Sequence, residues 1–300
     1  MKITVIGPGA IGVSLAYTLA NSKNKVSLLV KSEHSDLIKQ GKISIKKISG
    51  GIFDKEMKII TKLSQTDLVI LAVKSYSVEK LLNQLSEIET PILCCQNGLQ
   101  TLNKLKNEIE PNLLSYLVTG AGSSKIESGF SHSNGKGFTF LGQIEGNNGI
   151  TIQNISNSLN VNGIACEIVK NIQDYVWLKA IINSAINPIA TINNVRNGKL
   201  RNKDLVEDVK NICNESTAIA QNIGVKLPLE PWEEIMTILN KTAHNKCSML
   251  QDIENLQETE IDAINGEFVR IASIHNLDSR HNALAITKVK EITNGYLKPC

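Results

Sequence analysis

The sequence predicts an α/β half followed by an all-helical half, and three observations carry that prediction. A β-rich run, Lys2 to Ile6, breaks into a glycine turn and then a small-residue helix, Val13 to Ala20. Continuous apolar runs such as Asp67 to Val73 and Pro91 to Cys95 then alternate with helical segments, the pattern of parallel strands buried on both faces. After Asp174 the strand patterns stop and long helical periodicities take over. Three hundred residues are enough for two cores, and the change of periodicity sets the border near 170, giving domains over 1–170 and 171–300.

In order, a second strand is expected over Lys25 to Val30, and β-type alternation around Gly50-Gly51 between Ile43 and Ile60 suggests a hairpin or connecting strands. A helix through Leu85 follows the Asp67 to Val73 strand. Leu113 to Val118 is a further strand, leading into a small-residue loop, Gly120 to Ser124. Asn134-Gly135 between Phe130 to His132 and Gly137 to Leu141 is a hairpin signal for antiparallel strands finishing the sheet. A helix over Thr151 to Leu159 and a strand over Ile164 to Val169 close the first half. The helices of the second half are Trp177 to Ile192, Asp204 to Asn222, Trp232 to Ala243, Glu258 to Ile274 and His281 to Tyr296, with Ser248 to Asp252 as a turn.

The composition excludes several kinds of function. Lys and Arg number 32 against 29 Asp and Glu, with no long basic run, so no nucleic-acid footprint is expected. The strongest apolar segments, such as Leu68 to Val73, fall far short of the roughly 20 residues that span a bilayer, so no membrane partner is expected. Met1 leads directly into a strand without a secretory pattern, which predicts a cytoplasmic protein. The six cysteines, Cys94, Cys95, Cys166, Cys213, Cys247 and Cys300, show neither a CxxC pair nor metal-ligand spacing with histidine, which predicts neither bound metal nor a disulfide framework. Cys94 and Cys95 read as small core residues, with a redox role as the lesser alternative.

The chemistry begins at Gly7-Pro8-Gly9-Ala10-Ile11-Gly12, a GxGxxG turn with a strand before it and a helix after it. Gly7 serves the tight turn, Gly9 the close approach of a pyrophosphate, and Gly12 the packing of helix on strand. The helix N-terminus offers free N–H groups to the anion. A dinucleotide site follows, against the alternative of a purely structural turn. At the end of the second strand, where an acidic residue would hold a ribose 2′-OH, the chain has Val30-Lys31-Ser32. Lys31 favours NADP(H); Glu33 beside it, and the alternative of an ordinary solvated lysine, leave NAD(H) open. Lys74 and Asn97 stand at the C-terminal ends of two later strands, where open α/β sheets bind ligands, although Asn97-Gly98 is also a common turn dipeptide.

In WLKAIINSAINPIATI, Lys179, Asn183 and Asn187 recur every fourth residue and form a polar stripe along an otherwise apolar helix. Buried lysines and carboxamides need partners, supplied either by an interhelical network or by a ligand. Glu260 precedes Ile264 by four residues, on the flank of an apolar face made by Ile261, Ile264, Phe268 and Ile271, and is expected to be partly buried. Ser248 reads by itself as a helix or turn cap. A dinucleotide half followed by Lys, two Asn and Glu suggests hydride transfer to a small polar substrate. Lys179 is then the candidate acid and Glu260 a hydrogen-bond acceptor beside it.

These residues resemble the 2-dehydropantoate 2-reductase (ketopantoate reductase) family along nearly the entire chain. The resemblance rests on GPGAIG at 7–12, AVKSYSV at 72–78, QNGL at 96–99, WLKAIINSAINPIATI at 177–192, NGKLR at 197–201 and SMLQDIENLQETEIDAINGEFVR at 248–270. It implies a Rossmann-like dinucleotide-binding domain followed by an all-helical substrate and dimerisation domain. The implied reaction is the NADPH-dependent reduction of 2-dehydropantoate to (R)-pantoate, in pantothenate and coenzyme A biosynthesis. By the same resemblance Lys179 is the general acid and Glu260 assists at the substrate hydroxyl. Asn97, Asn183, Asn187, Asn197 and Ser248 line the substrate site. Gly7, Pro8, Gly9, Ala10, Ile11, Gly12, Lys31, Lys74, Asn97 and Glu260 serve the cofactor. Lys31 replaces the family's usual arginine, keeping the charge but losing the bidentate fork. Two alternatives stand beside this reading: a related dehydrogenase acting on another 2-oxo or hydroxy acid, and a non-catalytic nucleotide sensor. A homodimer through the helical domain is the oligomeric form that the resemblance leads one to expect.

Overall fold

The computed structural model describes residues 1–135, 137–146 and 149–295. Two compact units divide the chain: Met1–Gln96 with Lys104–Gln173, and Asn97–Asn103 with the chain from Asp174 onward.

The first unit begins with β1 (Lys2–Ile6), α1 (Ala10–Ala20), β2 (Lys25–Leu29), α2 (Ser35–Gln40), β3 (Lys42–Lys46), β4 (Ile52–Glu56), β5 (Lys58–Ile60) and β6 (Leu68–Leu71). It continues through α3 (Ser75–Val78), α4 (Leu82–Ser86), β7 (Ile92–Cys94), α5 (Gln100–Glu108, shared between the units), β8 (Leu114–Thr119), β9 (Ser123–Glu127), β10 (Phe130–Ser133), β11 (Thr139–Gln143), α6 (Gly149–Val161) and β12 (Cys166–Ile168). Eight strands form the main sheet in the order β12-β11-β8-β7-β6-β1-β2-β5. Six of them are mutually parallel, and β11 pairs antiparallel with β8 through Thr139 opposite Thr119. The order reverses at β1, whose neighbours are β2 and β6, so the turn after β1 lies at the switch point where doubly wound sheets take ligands. Val5, Leu28, Ile70 and Leu93 are buried in these strands, as their uninterrupted apolar runs require.

A second sheet, β4-β3-β10-β9, packs with the first around α1, which touches strands of both. The alternation around Gly50-Gly51 is indeed a hairpin, β3 against β4, while β5 joins the main sheet. The expected hairpin across Asn134-Gly135 does not form. β10 pairs instead with β9 across a turn in which Gly129 has φ +81°, and β11 lies in the other sheet, where Leu141 is buried. A side chain pattern that fills a two-sided core outweighs the local turn dipeptide. Ser123 and Ser124, expected in a loop, begin β9. The helix expected through Leu85 is broken, α3 and α4 being joined by a 3₁₀ turn over Glu79–Leu81.

In the second unit α7 (Ile172–Ile192) starts earlier than its periodicity suggested, its first two residues belonging to the first unit. Then come a 3₁₀ turn over Asn197–Arg201, α8 (Lys203–Asn222), α9 (Pro231–Lys241), α10 (Ser248–Glu254), a π-turn over Asp262–Gly266 running into α11 (Glu267–His275), and α12 (Arg280–Asn294). Packing of α8 against α9, α11 and α12 buries Val209, Ile212, Ile235, Phe268 and Val289. The segment expected as a turn at Ser248 to Asp252 is therefore a helix. The helix expected over Glu258 to Ile274 starts only at Ile261 and carries the π-turn. Tyr296, the expected end of the last helix, and Cys300 lie outside the described residues.

Candidate functional site

The glycine turn follows directly from β1. Gly7 has φ +112°, a conformation closed to most L-residues, and a Cβ there would stand 2.9 Å from the Ala72 carbonyl oxygen at the end of β6. A Cβ on Gly12 would lie 2.0 Å from the Gly7 carbonyl oxygen, so turn and helix are in direct backbone contact. At Gly9 a Cβ would meet nothing within 4 Å: the backbone is open on that side, and no side chain caps the first turn of α1. Bare backbone beside the uncapped amides of a helix N-terminus suits a pyrophosphate, so Gly7, Pro8, Gly9, Ala10, Ile11 and Gly12 fit a dinucleotide.

Lys31 follows β2, is exposed, and pairs with the equally exposed Glu33 at 3.3 Å. Such a pair contributes little to stability and is readily exchanged for another anion. Lys74 is half-buried in the position preceding α3. Beyond β7, Gln96 is buried and donates from Nε2 to the carbonyls of Leu71 at 2.6 Å and Val73 at 3.3 Å, tying the ends of two strands together. Only its place in the QNGL motif marked this glutamine in advance.

The second unit gathers several of the predicted substrate residues. Lys179 and Asn183 are half-buried on α7, and Asn187 is 4% exposed. The Asn187 Nδ2 is a buried donor without a hydrogen-bond partner among the described residues, and the buried Oδ1 acceptor of Asn197 likewise lacks one. Asn197 is otherwise fixed, donating from Nδ2 to Thr242 Oγ1 at 2.9 Å and from its backbone to the Asn245 carbonyl at 3.0 Å. Orphaned polar atoms of this kind are rare in native cores and are expected where a ligand completes them. Cys247 donates from Sγ to the Asn187 carbonyl at 3.6 Å, and the same sulfur accepts from Leu250 N at 3.4 Å. Cys247, not Ser248, is therefore the cap of α10, and Ser248 is exposed at the first helical position. Its neighbour's bond to Asn187 nonetheless ties this end of α10 to the stripe.

Glu260 is buried at 5% exposure, more fully than its flanking position implied, and its Oε2 accepts from Asn97 Nδ2 at 3.1 Å. Asn97 can reach it because Gly98, at φ +80°, turns the backbone against the helix: a Cβ at 98 would lie 2.3 Å from the Ala263 carbonyl oxygen. Asn103 extends the same attachment, donating to the buried Glu267 at 2.7 Å, whose carboxylate is also forked by Arg270.

Burial with Cys95 alongside pushes the Cys94 thiol well above its usual range, and burial raises Cys213 to about 11. These thiols stay protonated near neutrality, which makes them core residues and poor nucleophiles. Among the described residues no group of three or more His, Cys, Asp or Glu is placed to hold a metal ion, and no helix is long and apolar enough to cross a membrane.

Backbone amides arranged for a pyrophosphate, in a chain that also presents a lysine with carboxamides and a buried glutamate, define a dinucleotide-dependent oxidoreductase. Family models described as Ketopantoate reductase PanE/ApbA and Ketopantoate reductase PanE/ApbA C terminal match residues 3–146 and 171–293. The chain belongs to the ketopantoate reductase family. It is 33% identical to a 2-dehydropantoate 2-reductase from Pyrococcus horikoshii, over 99% of this chain and 100% of the relative. Among solved structures it shares its fold with D-mandelate dehydrogenase in complex with NADH and anilino(oxo)acetate, at TM-score 0.91, 23% identity and 99% coverage of both chains. A PanE/ApbA family ketopantoate reductase from Ralstonia eutropha matches at TM-score 0.86 and 22% identity, over 99% of this chain and 100% of that one.

Proposed function

We propose that the protein reduces 2-dehydropantoate to (R)-pantoate with NADPH, serving pantothenate and coenzyme A biosynthesis, with Lys179 as general acid and Glu260 assisting. The observation that carries this reading is the likeness, end to end, to the Pyrococcus horikoshii 2-dehydropantoate 2-reductase. The nicotinamide, when bound, supplies the hydride to the ketone carbon. Lys179 holds the proton delivered to the ketone oxygen, so that negative charge does not accumulate there. Glu260, held by Asn97, accepts a hydrogen bond from the substrate hydroxyl. Asn183, Asn187, Asn197 and Ser248 orient the polar groups of the substrate, and the orphaned atoms of Asn187 and Asn197 support that role.

For the cofactor, residues 7–12 hold the pyrophosphate, Lys31 exchanges Glu33 for the 2′-phosphate, and Lys74 lies alongside. NADP(H) is favoured, and NAD(H) is the competing coenzyme. The protein acts in the cytoplasm, as a homodimer formed through residues 171–300; light scattering on the purified protein tests the dimer.

The direct test follows nicotinamide absorbance with 2-dehydropantoate and simple 2-oxo acids, each with NADPH and with NADH. Rapid oxidation confined to 2-dehydropantoate supports the reading. Turnover of another 2-oxo acid alone replaces the substrate. Cofactor binding without oxidation of any of them leaves a nucleotide sensor.

A further inference from the structure

Pro188 lies inside α7, one residue after Asn187. A proline has no N–H, so the carbonyl four residues earlier, that of Ser184, loses its helical donor. Ser184 is fully buried, where an unpaired carbonyl is costly. The missing donor comes from another helix: Asn265 Nδ2 reaches the Ser184 carbonyl oxygen at 2.9 Å.

Asn265 is itself fully buried and sits in the π-turn Asp262–Gly266. A π-turn admits one extra residue into the helical register, and such turns recur at functional sites. The second proton of the carboxamide goes to Asn282 Oδ1 at 2.9 Å. Asn282 cannot swing away, because its Nδ2 is held by Glu215 Oε1 at 2.8 Å and Ser216 Oγ at 3.1 Å. Glu215 also receives the backbone N–H groups of His281 and Asn282 at the start of α12, at 2.9 and 2.8 Å. Ser216 and Ser184 meet through their hydroxyls at 3.0 Å, closing the network back on α7.

Glu260 and Asn97 stand on the near side of the same turn. The Glu260 carbonyl accepts from Ile264 N, within the π-turn, at 3.0 Å, and the Ala263 carbonyl is the surface on which Gly98 rests. Two local irregularities, a proline in α7 and a π-turn before α11, are thus joined by one side chain.

We propose that Asn265 is a positioning residue: by occupying the carbonyl that Pro188 leaves open, it locks the π-turn to α7 and so fixes Glu260 and Asn97 with respect to Lys179, Asn183 and Asn187. The kinetic part rests on the catalytic reading given above, and the structural part does not.

The test is a thermal-melting cycle with Asn265→Leu and Pro188→Ala, singly and combined, followed by kinetics. Pro188→Ala restores a backbone donor to the Ser184 carbonyl, so Asn265→Leu should lower Tm much less in the Pro188→Ala background than in the wild-type one. Equal losses in both backgrounds overturn the link. For kinetics, Asn265→Leu should reduce kcat by on the order of tenfold to a hundredfold, as expected for a misplaced catalytic group. The same substitution should cost little more once Glu260→Gln is present. Wild-type kcat in Asn265→Leu, or a full additional loss over Glu260→Gln, overturns the positioning role. If Asn265→Leu alone does not fold, the double variant carries the kinetic test, and its failure to recover the fold counts against the link. If the wild-type protein does not reduce 2-dehydropantoate, the catalytic reading falls, while the melting cycle still decides the link.

Discussion

Asn97 Nδ2 stands 3.1 Å from Glu260 Oε2, across 163 residues of sequence, and the glutamate so held is 5% exposed. A carboxylate accepts hydrogen bonds and donates none, which is the chemistry that the proposed role of Glu260 at a substrate hydroxyl calls for.

Glu260→Gln should therefore preserve the shape of the site and weaken the chemistry. Losing one charge-assisted hydrogen bond corresponds to roughly 1.5–3 kcal/mol, or a fall in kcat/KM of about tenfold to a hundredfold. Steady-state kinetics with an intact melting curve would check this, and unaltered kinetics would remove Glu260 from the mechanism.

Lys179→Ala should lower kcat by about 10²–10⁴ while NADPH binds normally, since proton delivery and cofactor binding use different groups. Fluorescence titration with the coenzyme beside turnover measurements separates the two. An equal loss of NADPH affinity would place the lysine in the cofactor site.

Lys31 is exposed and engaged only weakly by Glu33. Lys31→Asp should shift the NADPH to NADH ratio of kcat/KM toward NADH by about tenfold, equivalent to roughly 1.4 kcal/mol. An unchanged ratio would mean that another group reads the 2′-phosphate.

The glycines of the turn should fail in different ways. At Gly12 a methyl group would stand 2.0 Å from a backbone oxygen, so Gly12→Ala should destabilise the fold by about 3 kcal/mol or more. At Gly9 there is room for a methyl group and φ is −81°, so Gly9→Ala should melt like the wild type yet bind NADPH poorly. Melting curves with and without coenzyme would distinguish them; normal coenzyme binding by Gly9→Ala would move the pyrophosphate elsewhere.

Cys213 should make the fold sensitive to alkali. Burial raises its thiol from the ordinary 9.0 to about 11, so between those values the unfolded chain has released a proton that the folded chain retains. This contribution is present in full below pH 9.0 and is lost as pH rises through about 11. Urea titrations across that range should show a steeper loss of stability for the wild type than for Cys213→Ala.

The sheet was legible because its signals are local and redundant. Val5 and Ile70 lie in runs that only a two-sided core explains, and the GxGxxG turn carries its own strand and helix. Asn134-Gly135 misled because a turn dipeptide says nothing about which sheet the next strand will enter. The stripe on α7 was visible from spacing alone, but its completion was not. Nothing near Asn97 announces a glutamate 163 residues away, and the π-turn breaks the very periodicity by which a helix is recognised. Asn265 was hidden for the same reason: its role is defined by a donor missing from another helix.

The seven residues Asn97–Asn103 leave one unit of the chain and belong to the other. A gene fragment cut near residue 170 would take Asn97 from Glu260 and Asn103 from Glu267, exposing two buried carboxylates that lose their carboxamide donors. The helical half is thus not a module that recombination could transplant by a single crossover; it would have to carry this short loan from upstream, or evolve replacements for both asparagines.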